Sequence, residues 1–371
     1  MSDPPVPGAR HRNQARTANG SQARPSSDGL YAALDLGTNN CRLLIAAPRP
    51  GGFRVVDAYS RIVRLGEGLS QSGELQPAAM DRAVAALLVC AERIRRRGRP
   101  RLRAIATQAC RAARNGEAFL ERVRRESGIQ LEIITPQEEA RLSVAGCANL
   151  LDRSASAALV LDVGGGSTEL AWLDLTAGRS APGAPPPIMA WLSVPIGVVT
   201  LAERFPEAEG ADSPWFRSMV EAVRVPIAAF ERADGLKPAF AAGQAHLIGT
   251  SGAITSLAGL HLGLPRYDRS RVDGLWLARA DCDRMVERLL GLSHAERALE
   301  PCVGPDRADL VLAGAAILQA VQELWPCARV RVADRGLREG ILLAMMAERA
   351  PPRRGRRRRR RPAGRAPKVA A

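Results

Sequence analysis

Leu34-Asp-Leu-Gly-Thr-Asn-Asn-Cys-Arg-Leu43 and Leu161-Asp-Val-Gly-Gly-Gly-Ser-Thr-Glu-Leu170 align residue for residue without a gap. Asp35 falls on Asp162, Gly37 on Gly164, Asn40 on Ser167 and Arg42 on Glu169. In each copy an apolar run breaks at glycine and resumes, which reads as strand, tight turn, strand. The 127-residue offset between Asp35 and Asp162 is too long for a solenoid, whose units span about 20–50 residues. The repeat therefore reads as a duplicated α/β domain.

Further elements are expected outward from each hairpin. A third extended run, Phe53 to Ser60, follows the first, so three antiparallel strands are expected in succession. Between Pro77 and Arg97 apolar residues recur at helical spacing (Val84, Leu87, Leu88, Ala91, Ile94), and Gly98 supplies the stop. A strand (103–107), a helix through Arg125 and a strand (130–134) come next. Thr135-Pro-Gln-Glu138 then opens a helix, with Thr135 as cap, Pro136 in the first turn and Glu138 returning the cap as a capping box. After the second hairpin come a Gly/Pro/Ala-rich loop (177–187) and a helix (214–232) broken near Pro226. A strand (246–249), helices at 253–260 and 308–325, a strand (329–332) and a helix (336–347) follow. The expected organisation is a first domain over 29–142 completed by 327–349 and a second over 143–326. These are flanked by an extension (1–28) and an Arg-rich tail (350–371), both without periodicity and read as disordered.

With 371 residues, 46% of them hydrophobic, the chain can bury two cores of ordinary size. The net charge of +15 is the mark of a nucleic-acid binder only until it is located. Nine Arg and Lys368 lie beyond Ala350, and residues 29–349 carry only +3. No apolar stretch approaches the ~20 residues of a membrane span, and the N-terminus has no apolar signal core. Seven scattered Cys without a Cys-x-x-Cys pair and four His without ligand spacing argue against a disulfide framework or zinc site, and a cytoplasmic location is expected. Lys237 and Lys368 are the only lysines, and neither lies in a glycine-rich loop. That excludes a P-loop, a protein-kinase lysine and most Schiff-base chemistry.

Each repeat places an Asp at a strand end, a glycine turn, and then hydroxyl or amide side chains. Such a turn suits a phosphate, because glycines leave backbone N–H groups free to converge on its oxygens and the Asp can hold Mg²⁺ against the same oxygens. One Asp-x-Gly is an ordinary hairpin; two aligned copies in one chain are a pattern. The expected phosphate-binding residues are Gly37, Thr38, Asn39 and Asn40 in the first loop and Gly164, Gly165, Gly166, Ser167 and Thr168 in the second. A third turn, Gly249-Thr-Ser-Gly252, joins a strand to a helix and adds Gly249, Ser251 and Gly252, whose N–H groups and helix N-terminus would face the same ligand. Of Glu138 and Glu139, the first is occupied by the cap and the second is free to face a cleft.

Together, Tyr31-Ala-Ala-Leu-Asp-Leu-Gly-Thr-Asn-Asn40, Thr107-Gln-Ala-Cys-Arg111, Glu138-Glu-Ala-Arg141, Asp162-Val-Gly-Gly-Gly-Ser-Thr-Glu169, Gly249-Thr-Ser-Gly252 and Leu337-Arg-Glu-Gly340 resemble, in order, the motifs of exopolyphosphatase/guanosine-pentaphosphate phosphatases. The resemblance covers about residues 30–348. It implies an α/β fold of two duplicated actin-like domains with the active site in the cleft between them, and Mg²⁺-dependent hydrolysis of a terminal phosphoanhydride. By matching position it implies that Glu139 is the base that activates water, that Asp162 and Glu169, with Asp35, form the metal site, and that Arg111 is a phosphate ligand. Three features depart from the pattern. Thr38-Asn39-Asn40 replaces Ser-Asn-Ser, Ala333-Asp-Arg-Gly336 replaces Ser-Asp-Gly-Ala, and no His-Asp pair of the kind carried by the further helical domain of long members occurs, so the short two-domain form is expected.

The expected substrate is inorganic polyphosphate or guanosine pentaphosphate, with polyphosphate or RNA as polyanion contacts of the tail and no membrane partner. Oligomeric state is left open, a homodimer included. The rival readings are an ATP-dependent phosphotransferase of the same fold, which would turn over ATP only with its acceptor, and a non-enzymatic RNA- or alarmone-binding protein. Retention of Glu139, Asp162 and Glu169 argues against the second.

Overall fold

A computed structural model describes residues 29–177, 185–207, 212–230 and 234–349. The extension (1–28), the tail (350–371) and part of the 177–187 loop lie outside the described residues. Two mixed sheets carry the fold. The first comprises β1 (Tyr31–Leu36), β2 (Asn40–Arg49), β3 (Gly52–Ile62), β4 (Arg101–Ala106) and β5 (Glu132–Ile133), in the order β3-β2-β1-β4-β5. The second comprises β6 (Ala157–Val163), β7 (Thr168–Asp174), β8 (Ile188–Val194), β9 (Ala245–Thr250), β10 (Trp276–Ala278) and β11 (Arg329–Ala333), in the order β10-β11-β9-β6-β7-β8. Setting the short edge strand β10 aside, the two orders coincide: an antiparallel three-strand meander, then two parallel strands beyond its first member. The duplicated actin-like architecture is thus visible strand by strand. β1 and β6 are central and buried on both faces, which is why they read as unbroken apolar runs up to the aspartate.

Helices cover the sheets, and one pair joins them. The helix Pro136–Cys147 places Leu142 in the core of β1 and β2, and Val144 and Cys147 in the core of β6, β7 and β9. The helix Leu337–Arg349 crosses it with Ile341, Leu342 and Met345 in the first of those cores. The crossing depends on two glycines. A Cβ on Gly340 would lie 1.9 Å from the carbonyl oxygen of Leu142, and one on Gly146 1.9 Å from that of Gly336.

This arrangement corrects the expected division. The 142/143 boundary cuts a helix that belongs to both cores, and 327–349 divides: β11 pairs with β9 in the second sheet, and only Leu337–Arg349 returns to the first. The expected helix through Arg125 is two, Gln108–Ala112 and Gly116–Ser127, and the helix at Pro226 ends two residues later, at Ala228. Among the described residues no helix is long and apolar enough to cross a membrane.

Candidate active site

The two glycine turns have the same internal bond. Gly37 N–H donates to Asn40 O and Gly164 N–H to Ser167 O, each at 2.9 Å. They meet face to face between the sheets. A Cβ on Gly165 would lie 2.9 Å from the Asn39 nitrogen, and one on Gly166 2.7 Å from Thr38 Oγ1, so this contact requires glycine. The cleft at this junction is lined by most of the expected residues: Asp35, Gly37 to Asn40, Glu139, Asp162, Gly164 to Ser167, Glu169, Ser251 and Gly252.

Thr168 and Gly249 do not line the cleft, and Ser251 lines it with its hydroxyl already engaged. Thr168 is buried behind the loop and donates its hydroxyl to Ile196 O at 2.7 Å. Gly249 lies within β9, where a Cβ would press on Ile254 and Val330, so its smallness serves packing. Ser251 caps the helix Gly252–His261, its Oγ accepting from Ala253 and Ile254 N–H. Those two donors are consequently not free for a ligand, which weakens the expected anion site at that helix start.

Four carboxylates converge from separate elements: Asp35 near the end of β1, Asp162 near the end of β6, Glu169 at the start of β7, and Glu139 in the first turn of Pro136–Cys147. Glu139 and Glu169 are buried. Ser143, one turn beyond Glu139, donates to Asp162 Oδ2, and Ser193 on β8 donates to Glu169 Oε1 at 2.7 Å. Burial is the first cause of raised pKa values throughout the cluster. It lifts Asp162 to about 6 against the pull of Ser143, and Glu169 to about 7 with help from the charge of Asp162. Burial and then the charge of Glu169 push Glu139 well above the usual carboxylate range, with Arg111 opposing. Asp35 is raised by burial.

Arg111 donates to Ile134 O and Gln108 Oε1, both at 2.7 Å, and reaches Glu139 Oε2 at 3.4 Å. In this geometry it pins the carboxylate of Glu139. Glu138 faces elsewhere: Thr135 Oγ1 accepts its N–H, but its carboxylate accepts from Arg103 and Arg141 and does not return to Thr135. The expected capping box is therefore a single cap, and Glu138 is engaged by arginines.

Ser143, Ser193 and the cleft residues Arg42, Arg338 and Glu339 also belong to the site, and none of them is among the residues expected from the sequence. Ser143 was within reach, because a spacing of four from Glu139 puts both on one helix face. So was Arg42, which the hairpin register sets opposite Asp35. Glu339 accepts from Gly336 N–H at 3.0 Å and from Arg269 at 2.9 Å. Asp334, whose motif departs from the pattern, accepts from the Tyr267 hydroxyl at 2.7 Å.

Among the described residues no three His, Cys, Asp or Glu side chains converge in direct metal-ligand geometry. Asp35 Oδ1 and Asn39 Oδ1 are nevertheless buried without a hydrogen-bond partner. An acceptor left this way calls for a cation or a donor. The set fits Mg²⁺ of the kind held by one or two carboxylates plus substrate phosphate oxygens and water, rather than an all-protein cage.

A duplicated α/β fold with acids and glycine turns facing one cleft defines a phosphate-handling protein, and similarity to known proteins gives the class. The Ppx/GppA phosphatase family model matches residues 44–349. Exopolyphosphatase 2 of Mycobacterium tuberculosis is 30% identical over 331 residues, covering 85% of this chain and 98% of the relative. The crystal structure of the Aquifex aeolicus member of the family superposes with a TM-score of 0.70 at 28% identity, covering 87% of this chain and 99% of that one. That of an exopolyphosphatase-like protein superposes at 0.76 with 30% identity, covering 86% and 99%. The chain belongs to the Ppx/GppA phosphatase family.

Proposed function

We propose that this protein releases orthophosphate from the end of inorganic polyphosphate, with guanosine pentaphosphate as a second substrate carrying a terminal phosphoanhydride. The observation that carries this reading is the position of Glu139. It is a buried carboxylate, held by Arg111 and facing the junction of the two glycine turns.

In this mechanism the glycine-turn N–H groups and the hydroxyls of Thr38 and Ser167 orient the terminal phosphoryl group, and Arg42 and Arg338 supply positive charge. Glu139, deprotonated, takes the proton of the attacking water. Arg111 holds Glu139 in place while the proton moves, and Ser143 and Ser193 fix the carboxylates of Asp162 and Glu169. Phosphate is the leaving group, so no strong general acid is needed. Mg²⁺ would be held by Asp35 and Asp162 with Glu169, and would supply charge neutralisation at the phosphate oxygens.

The test is orthophosphate release by the purified chain from polyphosphate, guanosine pentaphosphate and ATP, assayed side by side with Mg²⁺. Conversion of ATP to ADP only when an acceptor is added, with the phosphoryl group recovered on the acceptor and not as orthophosphate, would support the phosphotransferase reading instead. No release from any of the three would reject hydrolysis, and no acceptor-dependent formation of ADP in addition would reject catalysis.

A further inference from the structure

Each glycine turn is backed by a segment that takes up its carbonyl groups. Behind the first, Val63 and Arg64 N–H donate to Asn39 O at 2.8 and 3.1 Å, and Gly66 N–H donates to Thr38 O at 2.9 Å. Gly66 fits closely, since a Cβ there would lie 2.2 Å from Thr38 Cγ2. Behind the second, the start of the helix Val198–Arg204 does the same work: Val198 N–H donates to Gly164 O at 3.0 Å and Val199 N–H to Gly165 O at 2.8 Å. Gly197 admits this approach, a Cβ there lying 2.4 Å from the Gly165 carbonyl carbon. Bonds that hold the carbonyls from behind fix the orientation of the peptides, whose remaining N–H groups can then face the cleft.

The two backing segments are bound to each other. Glu203, in the last turn of Val198–Arg204, accepts from Gly68 N–H at 2.9 Å through Oε1 and from Ser70 Oγ at 2.7 Å through Oε2. A second tie lies alongside, where Arg64 donates to both oxygens of Asp309, at 2.8 and 3.2 Å. These groups are half-exposed, so their contribution to global stability is small. Their positions matter more, because each joins an element of the first half to one of the second directly behind the paired turns.

We infer that Glu203 is a positioning residue that sets the spacing and orientation of the two phosphate loops through the segments behind them. The inference rests on the phosphohydrolase reading for its kinetic consequence but not for its structural one. It makes no use of Glu203 as an acid, a base or a metal ligand.

The experiment compares the full chain with Glu203→Ala, Glu203→Gln and Ser70→Ala, using tripolyphosphate as substrate and amide hydrogen exchange of residues 37–40 and 164–167 as a second readout. Glu203→Ala is expected to raise KM about tenfold, with kcat changed by less than about threefold, and to speed exchange in both turns. Glu203→Gln keeps one acceptor oxygen and should fall between. Ser70→Ala removes only the exposed bond, so it keeps the fold and should shift KM by about threefold. A Glu203→Ala protein with lowered melting temperature but unchanged KM and loop exchange would overturn the inference. If the unaltered chain does not hydrolyse tripolyphosphate, the functional reading fails alone, and loop exchange still decides the role of Glu203.

Discussion

Asp162 lies directly opposite Glu169 across the β6–β7 hairpin, at the place where the β1–β2 hairpin sets Arg42 opposite Asp35. Like charges directly across a ladder destabilise it, whereas opposite charges support it. The first hairpin is therefore internally compensated, and the second accumulates a charge that its own residues do not cancel.

The consequence can be measured as a pH dependence. Asp162 at about 6 and Glu169 at about 7 bind protons more tightly in the folded than in the unfolded chain. Their contribution to stability is therefore full below the ordinary carboxylate pKa of ~4 and is lost as pH rises through 6 and 7. The melting temperature of the metal-free protein should fall over that window. Mg²⁺ should restore it and raise activity, and EDTA should abolish turnover. A flat profile in both conditions would remove these carboxylates from metal binding.

Glu139→Gln should lower turnover by about 10²–10⁴-fold with little change in fold. Glu138→Gln should leave turnover intact, and weakening of its bonds to Arg103 and Arg141 should cost roughly 1 kcal/mol or less, since both are surface pairs. Orthophosphate release and denaturant midpoints for the pair distinguish the two roles. Because Glu139 must be ionised to act and its pKa is raised, activity should climb with pH well beyond the usual carboxylate range.

At the helix crossing, Gly340→Ala or Gly146→Ala would drive a methyl group into a carbonyl of the partner helix. Each should cost about 1–3 kcal/mol or more, read as a lowered denaturant midpoint. Gly291→Ala is the control. Its φ is −75° and a Cβ there would come no closer than 3.6 Å to a neighbour, so it should be neutral or slightly stabilising.

His246 is buried, its Nε2 accepting from Asp152 N–H at 3.3 Å, and burial lowers its pKa to about 4, with Arg331 and Arg329 acting in the same direction. The stability it supports is present above the unfolded pKa of ~6.5 and is lost as pH falls towards 4, by roughly 2 kcal/mol at pH 5. His246→Gln keeps an acceptor for Asp152 without titrating. It should shrink the difference in melting temperature between pH 7 and pH 5.

Deleting 351–371 removes nine Arg and one Lys and none of the residues that line the cleft. Hydrolysis of tripolyphosphate should be nearly unchanged. Affinity for long polyphosphate or RNA should drop, with a shallower salt dependence, because fewer counterions are released. Equal binding of both chains at low salt would leave the tail without that role.

The hairpins were legible because their signal is local and occurs twice: Asp35 and Asp162 each end an apolar run at a glycine turn. The cleft could be read as far as the residues of those turns and Glu139, whose helix carries its own start signal in Thr135 and Pro136. Arg111 was found only through the family motif, and its grip on Glu139 depends on the packing of a separate helix. β8 gave no clear signal, since its burial does not alternate as a half-buried strand should. Ser193 on that strand, opposite Glu169, was hidden with it. β11 reads as a strand from its sequence, but whether it joins the first or the second sheet is decided by pairing with β9, which lies about 80 residues earlier.

The Pro136–Cys147 helix brings Glu139 to the cleft from the seam between the halves. In any rigid rotation of one sheet against the other about the crossing of that helix with Leu337–Arg349, displacement grows with distance from the crossing. Glu139 and Ser143 sit on the crossing helix itself and would travel least, whereas the clasp from Glu203 to Gly68 and Ser70, made by elements that do not belong to that crossing, would travel farther. The Ser143 bond to Asp162 thus starts from the spine of the molecule, and the Glu203 clasp closes its fore-edge.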